Sequence, residues 1–424
     1  MMIPEHSADA AMSADRGAGR SMRAAYYAFV LWIPIESLLV FKTNDKEGNI
    51  TISRMLGLLV FGLALIEWRR YFRSFPSAFW LVVWYLGVFA LSELWIPSFL
   101  DLKFHYAEMT LIQMAVLFLI SVNLFEDADF RGPLLAFYGW WTSLVAGGML
   151  LGIFGARLAD DEGRSSLMGL DPNAAAALFG LGAVCILGDF QISTSKRLSV
   201  RLFAALLAVP TLILAILQTG SRGGLLALIA GILGLVVCGS KATRMKRSLI
   251  AVAAAGVLGM LILREFQQGT EAASRLSKSW NDGDTAGRTE IFDAAWPMFL
   301  ERPLLGYGGA NNYFTLGRRL NYASGSGDLY YRGTHNLYLA VLTEVGLVGA
   351  VPFLCALLYA LWSGWLYGRR TGDARPFGLM CALFTINSSL TTHEDKVFWI
   401  VLAAAVACGS ERAAPAVPAA LHSS

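Results

Sequence analysis

Residues 330–354 read YYRGTHNLYLAVLTEVGLVGAVPFL. The stretch opens with tyrosines and an arginine, and from Leu337 onward it is apolar for longer than a water-exposed segment tolerates. A helix needs roughly 20 mostly apolar residues to cross a bilayer, where no water is available to satisfy its backbone. The stretch therefore predicts a membrane helix that starts at an interface, with His335 and Asn336 on its edge.

The same pattern recurs along the chain of 424 residues, which is 56% hydrophobic and 15% charged, with a mean hydropathy of +0.53. Apolar blocks predict twelve spans, near 24–41, 52–68, 77–94, 107–124, 133–154, 173–190, 202–218, 223–239, 248–263, 336–362, 376–391 and 397–410. The fold class expected is an all-α integral membrane protein with about 12 transmembrane helices. Its parts would be a tail over 1–23, nine helices over 24–263, a large outer loop over 264–334, three helices over 335–410 and a tail over 411–424. No second soluble domain and no internal repeat is visible.

Composition also excludes function classes. All five cysteines fall in apolar blocks, as small buried hydrophobes do, so neither a disulfide framework nor a metal cluster is expected. A net charge of +3 argues against a nucleic-acid binder. The first 22 residues lack an apolar core before a cleavage site and do not read as a signal peptide.

Placement of the basic residues orients the bundle. With both termini in the cytoplasm, 18 Lys and Arg fall on the cytoplasmic side and eight in short outer loops. The remaining eight lie in the 264–334 loop, which is long enough to escape that bias. Within it, TAGRTEIFDAAWPMFLER predicts one helix capped by Thr285, broken by PLLGYGGANNYF.

Ionisable residues near the bilayer are the functional candidates. Arg222 lies in a short outer turn beside Ser221, Gly220, Gly223 and Gly224 at the head of a helix. It suits either a phosphate, held by planar donors and helix amides, or an interfacial arginine reaching for headgroups. Arg288 stands near the start of the loop helix, aimed at the membrane or simply solvated. Asp171 and Pro172 read as a helix cap and first turn. His335 is either a proton acceptor at neutral pH or a cap. Glu344 is out of phase with it and suits a buried hydrogen bond, while His393 and Glu394 belong to a short outer turn that either lines the same cavity or is solvated.

His335 and Asn336, nine residues, then Gly346 and Gly349 resemble the motif of the O-antigen ligases and their relatives, and Arg222 with Leu226 resembles that family's second element. The resemblance implies a GT-C-like helical bundle with one large periplasmic loop, in a bacterial inner membrane with the site facing the periplasm. It further implies an inverting, metal-independent glycosyltransferase, without cofactor, that moves a glycan from an undecaprenyl diphosphate carrier to a glycan or lipid A-core acceptor. Arg222 and Arg288 would hold the diphosphate, His335 would orient or deprotonate the acceptor hydroxyl, and Asn336 and Ser221 would contact substrate. Relatives include polymerases of O-antigen, capsule or exopolysaccharide repeats and protein O-oligosaccharyltransferases. The paired Arg-x10-Gly elements of many polymerases are absent, because Leu233 and Phe299 stand at those positions. A transporter would instead show related halves and polar breaks near the midplane.

Overall fold

The structure, a computed structural model, describes residues 6–38, 40–41, 50–157, 165–168, 170–192, 198–238, 244–269, 287–322 and 330–410. Its helices are α1 His6–Trp32, α2 Ile52–Ile66, the single turn α3 Trp68–Tyr71, α4 Ser77–Leu91, α5 Asp101–Phe125, α6 Ala128–Leu150, α7 Pro172–Ile192, α8 Leu198–Gln218, α9 Arg222–Val237 and α10 Arg244–Gln268. After them come α11 Arg288–Glu301, α12 Asn311–Arg319, α13 Leu337–Thr371, α14 Arg375–Asn387 and α15 Lys396–Ser410. Two short antiparallel pairs, Val40–Phe41 with Ile50–Thr51 and Gly155–Arg157 with Ser165–Leu167, are the strand content among the described residues.

By length and composition, four helical stretches can cross a membrane: Ser77–Trp95, Ser98–Phe125, Pro172–Ile192 and Leu337–Thr371. Shorter apolar helices, including Ile52–Ile66, Arg222–Val237 and Lys396–Gly409, accompany them. Large apolar side chains face outward, with Leu94 82% and Ile66 78% exposed, as a lipid-facing surface requires. The protein is an all-α, multi-pass membrane protein.

The centre of the bundle is α7, packed by α6, α8, α9 and α14. Close approach there depends on small residues, since lipid gives helices no hydrophobic drive to associate and backbone proximity must supply dispersion contacts. A Cβ on Gly231 of α9 would lie 2.4 Å from Val184 Cγ2 of α7, and one on Gly234 would lie 2.9 Å from the Gly378 Cα of α14. At the bundle end where α14 begins, buried Arg375 donates to the Asp373 carboxylate at 2.8 and 2.9 Å and to the Gly132 carbonyl at 3.0 Å, which ties the start of α14 to α6.

Two differences from the sequence reading matter. Helix α1 begins at His6, so most of the expected N-terminal tail is helical, in keeping with its alanines. The 264–334 region holds two described helices rather than one, because Asn311 restarts a helix directly after the glycine cluster. Thr285 lies outside the described residues, as do Arg275 and Lys278. Position Gly287, in the left-handed conformation at φ 74°, precedes α11 with no side-chain cap bond.

Helix α13 is interrupted at Gly346 (φ 58°, ψ −165°), and the chain after α11 fills the interruption. The carbonyls of Thr343 and Glu344 accept from the amides of Tyr307 and Gly308, both at 2.8 Å. The amides of Leu347 and Val348 donate to the carbonyls of Pro303 and Leu304 at 2.8 and 3.1 Å. The segment 303–308 is thereby hydrogen-bonded into α13.

Substituting Gly231→Val is expected to wedge α9 from α7 and α14 and to cost about 1–3 kcal/mol. The measurement is the melting temperature of the detergent-solubilised protein, and an unchanged melt would refute the close packing of these three helices.

Candidate functional site

Three helix starts meet around the segment Ser388–Leu390. The first amide of α13, at Leu337, donates to the Leu390 carbonyl at 3.1 Å, and the Asn336 side-chain amide donates to the Ser388 carbonyl at 3.2 Å. Behind Arg222, a Cβ on Gly223 would lie 2.2 Å from Ser389 Oγ and one on Gly224 would lie 2.4 Å from Ala176 Cβ, so α9 abuts both this segment and the first turns of α7.

Each start is capped by the residue its sequence offers. Asp171 Oδ1 accepts from the amides of Asn173 and Ala174 at 2.8 and 3.2 Å, Ser221 Oγ from Gly224 at 3.1 Å, and Asn336 Oδ1 from Leu339 at 3.0 Å. A helix start carries roughly half a positive charge, so several in one place form a field suited to an anion.

His335 sits at the α13 start, half-buried, with φ 48°, a left-handed conformation that histidine adopts at some cost. Burial pushes its imidazole below the ordinary 6.5, and the charges of Arg332 and Arg288 push the same way, against a smaller opposing pull from Asp171. Three charged groups thus act on one imidazole. Arg288 is the first residue of α11, and Arg332 is fixed by its amide, which donates to the Tyr313 carbonyl at 3.0 Å, and by its guanidinium lying 4.6 Å over the Tyr322 ring.

The structure therefore brings Arg288, His335 and Asp171 together, with Arg222 on the helix start that shares the Ser388–Leu390 segment. Asn336 and Ser221 are there too, but as caps. Arg332, one of the eight basic residues of the 264–334 loop, belongs to the same set, since its charge acts on His335; its signal was its position three residues before His335.

A cavity of about 300 Å³ adjoins the α7 start, lined by Leu170, Ala174, Phe398, Glu394 and Glu36, whose carboxylate meets Lys396 Nζ at 2.7 and 2.8 Å. His393 does not line it and is not a solvated residue. It is 1% exposed, Trp399 Nε1 donates to its carbonyl at 2.6 Å, and burial drives its imidazole down to about 4, so it is neutral at pH 7. Its Nε2 lies 3.9 Å from Glu344 Oε2, which accepts from the Tyr85 hydroxyl at 3.1 Å. Glu344 thus makes the buried hydrogen bond its phase suggested. Among the described residues, no three His, Cys, Asp or Glu side chains gather as a metal site needs.

Residues 203–354 match the family model described as O-antigen ligase. This stretch is similar to the O-antigen ligase and Wzy-type polymerase superfamily. It contains Arg222, Arg288, Arg332, His335, Gly346 and Gly349, while Asp171, whose charge also acts on His335, lies outside it. A comparison with curated proteins gave no match. Members of the superfamily are membrane glycosyltransferase-like ligases and polymerases, and the match supports, at that coarse level, an enzyme.

The site's electrostatics are measurable without knowing the substrate. In selectively labelled protein with its five histidines, His335 is expected to titrate below 6.5. Arg332→Ala removes a cation that disfavours the imidazolium, so the midpoint should rise toward 6.5. A midpoint that does not move would separate Arg332 from the site.

Proposed function

We propose that the protein transfers a glycan from an undecaprenyl diphosphate carrier to an acceptor hydroxyl at the periplasmic face, as an O-antigen ligase does. The observation that supports this most is a half-buried imidazole under the charges of Arg288 and Arg332, beside helix starts at Pro172, Arg222 and Leu337.

Each part answers a chemical need. The acceptor hydroxyl must lose a proton as its oxygen bonds to the anomeric carbon, and an imidazole held neutral by its surroundings is available to take it. The bond from the anomeric carbon to the diphosphate breaks as the new one forms, so one in-line displacement inverts that centre. The departing diphosphate gains negative charge, and fixed guanidinium groups and helix-start amides oriented beforehand stabilise it. Arg222 and Arg288 take that role, with Arg332 as a third cation. Asn336 and Ser221 cap helix starts beside this site. This arrangement works without a metal.

The distribution of basic residues favours the α13 start on the periplasmic side, where a water-borne acceptor would meet a membrane-bound donor. The absent Arg-x10-Gly pairs favour ligase over repeat-unit polymerase.

In the parent bacterium, His335→Asn tolerates the left-handed backbone yet lacks the base, and is expected to lower transfer by about 10²–10⁴-fold. Arg222→Ala and Arg288→Ala should each cost about 10²–10³-fold. Surface glycans at normal length and amount in all three variants, with normal protein levels, would refute the transferase reading. A deletion strain separates the two activities: long chains stranded on the carrier mark a missing ligase, and single repeats mark a missing polymerase.

A further inference from the structure

The interruption of α13 lies ten residues from Asn336, too far for Gly346 to touch a group at His335. Its conformation, φ 58° with ψ −165°, is one that essentially only glycine adopts. A Cβ there would also lie 2.3 Å from the Leu304 carbonyl carbon and oxygen and 2.5 Å from Leu305 N. From the other side, a Cβ on Gly306 (φ 66°) would lie 2.5 Å from the Glu344 carbonyl oxygen. Two glycines thus let two backbones meet, and four hydrogen bonds join them.

The joined segment continues directly from α11. Ile291, Ala295 and Met298 of α11 pack in one cluster with Tyr307, Leu316 and Leu339, the last from the first half of α13. Helix α11 is therefore fixed at its end by hydrogen bonds around Gly346 and along its length by apolar contact. Its other end carries Arg288.

We infer that Gly346 is a positioning residue: the break it permits, filled by residues 303–308, sets where α11 holds Arg288 relative to His335. The inference rests on the proposed function only for what Arg288 does there, and not for where it is held. It also gives a physical reason for a glycine at this place in the motif, away from every reacting atom.

The test reads position before activity. In the wild-type protein, hydrogen exchange should find the amides of Tyr307, Gly308, Leu347 and Val348 protected, more than those of Thr289 and Glu290 at the α11 start; equal exchange would overturn the joint itself. In Gly346→Ala, and in Gly306→Ala should the first fail to accumulate, exchange over 303–308 should rise at least tenfold. The His335 titration midpoint should rise as well, toward that of Arg288→Ala, while the double variant Gly346→Ala/Arg288→Ala should move no further than Arg288→Ala. A midpoint that stays at the wild-type value, or shifts that add in the double variant, would overturn the positioning role. Glycan transfer is measured in parallel with the lipid-facing Val351→Ala as control. Should Arg288→Ala leave transfer intact, the role proposed for Arg288 in the reaction falls while exchange and titration still decide the inference.

Discussion

In an apolar surrounding a backbone amide or carbonyl without a partner costs several kcal/mol, and this requirement governs the outer half of the molecule. A continuous α13 would meet it alone. The chain instead breaks the helix at Gly346 and lets residues 303–308 take the Thr343 and Glu344 carbonyls and the Leu347 and Val348 amides. The outer region and the bundle become one object. Gly309 N donates to Ser92 Oγ at 3.2 Å just past the end of α4, which extends the same attachment to a second membrane helix.

The same requirement explains which polar residues are free for chemistry. Helix starts leave amides unpaired, and near a membrane these need partners from nearby side chains. Asp171, Ser221 and Asn336 supply them. Small polar residues beside the motif cap three helix starts. A residue adjacent in sequence to a candidate base is therefore not thereby a substrate contact. Glu344 and His393 illustrate a related division: both are buried, and they serve the joint between α4, α13 and the α14–α15 turn through Tyr85 and Trp399.

Much of this was legible in the sequence because long apolar blocks leave few alternatives. Helices overlap every stretch expected to span, four of them among the described residues long and apolar enough to cross, the Asp171 cap stands beside Pro172 and Asn173, and the motif around His335 lies inside the matched family region. What was not legible required distant segments to be brought together. Arg332 was one of eight basic residues in a long loop, and its amide bond to the Tyr313 carbonyl together with the left-handed turn at His335 brings it to the site. His393 looked like part of a polar turn, and its burial depends on packing against α4 and α13. Gly346 was visible as a motif position, but the reason for it lies forty residues upstream in PLLGYG, whose glycines read only as a helix stop.

The charges around His335 carry a consequence for the proposed reaction. Arg332 and Arg288 lower the basicity of the imidazole by disfavouring its protonated form. A diphosphate bound by these arginines supplies negative charge that offsets theirs, so the imidazole regains basicity when the donor is in place. In the unliganded protein burial, and these cations with it, favours the neutral imidazole. One cluster of positive charge then does two jobs in sequence: it holds the base in its accepting form while the site waits, and strengthens that base once the donor arrives. The coupling needs no moving part. It requires only that Arg288 stay where α11 holds it, which returns the chemistry at the α13 start to the backbone joint ten residues further along the same helix.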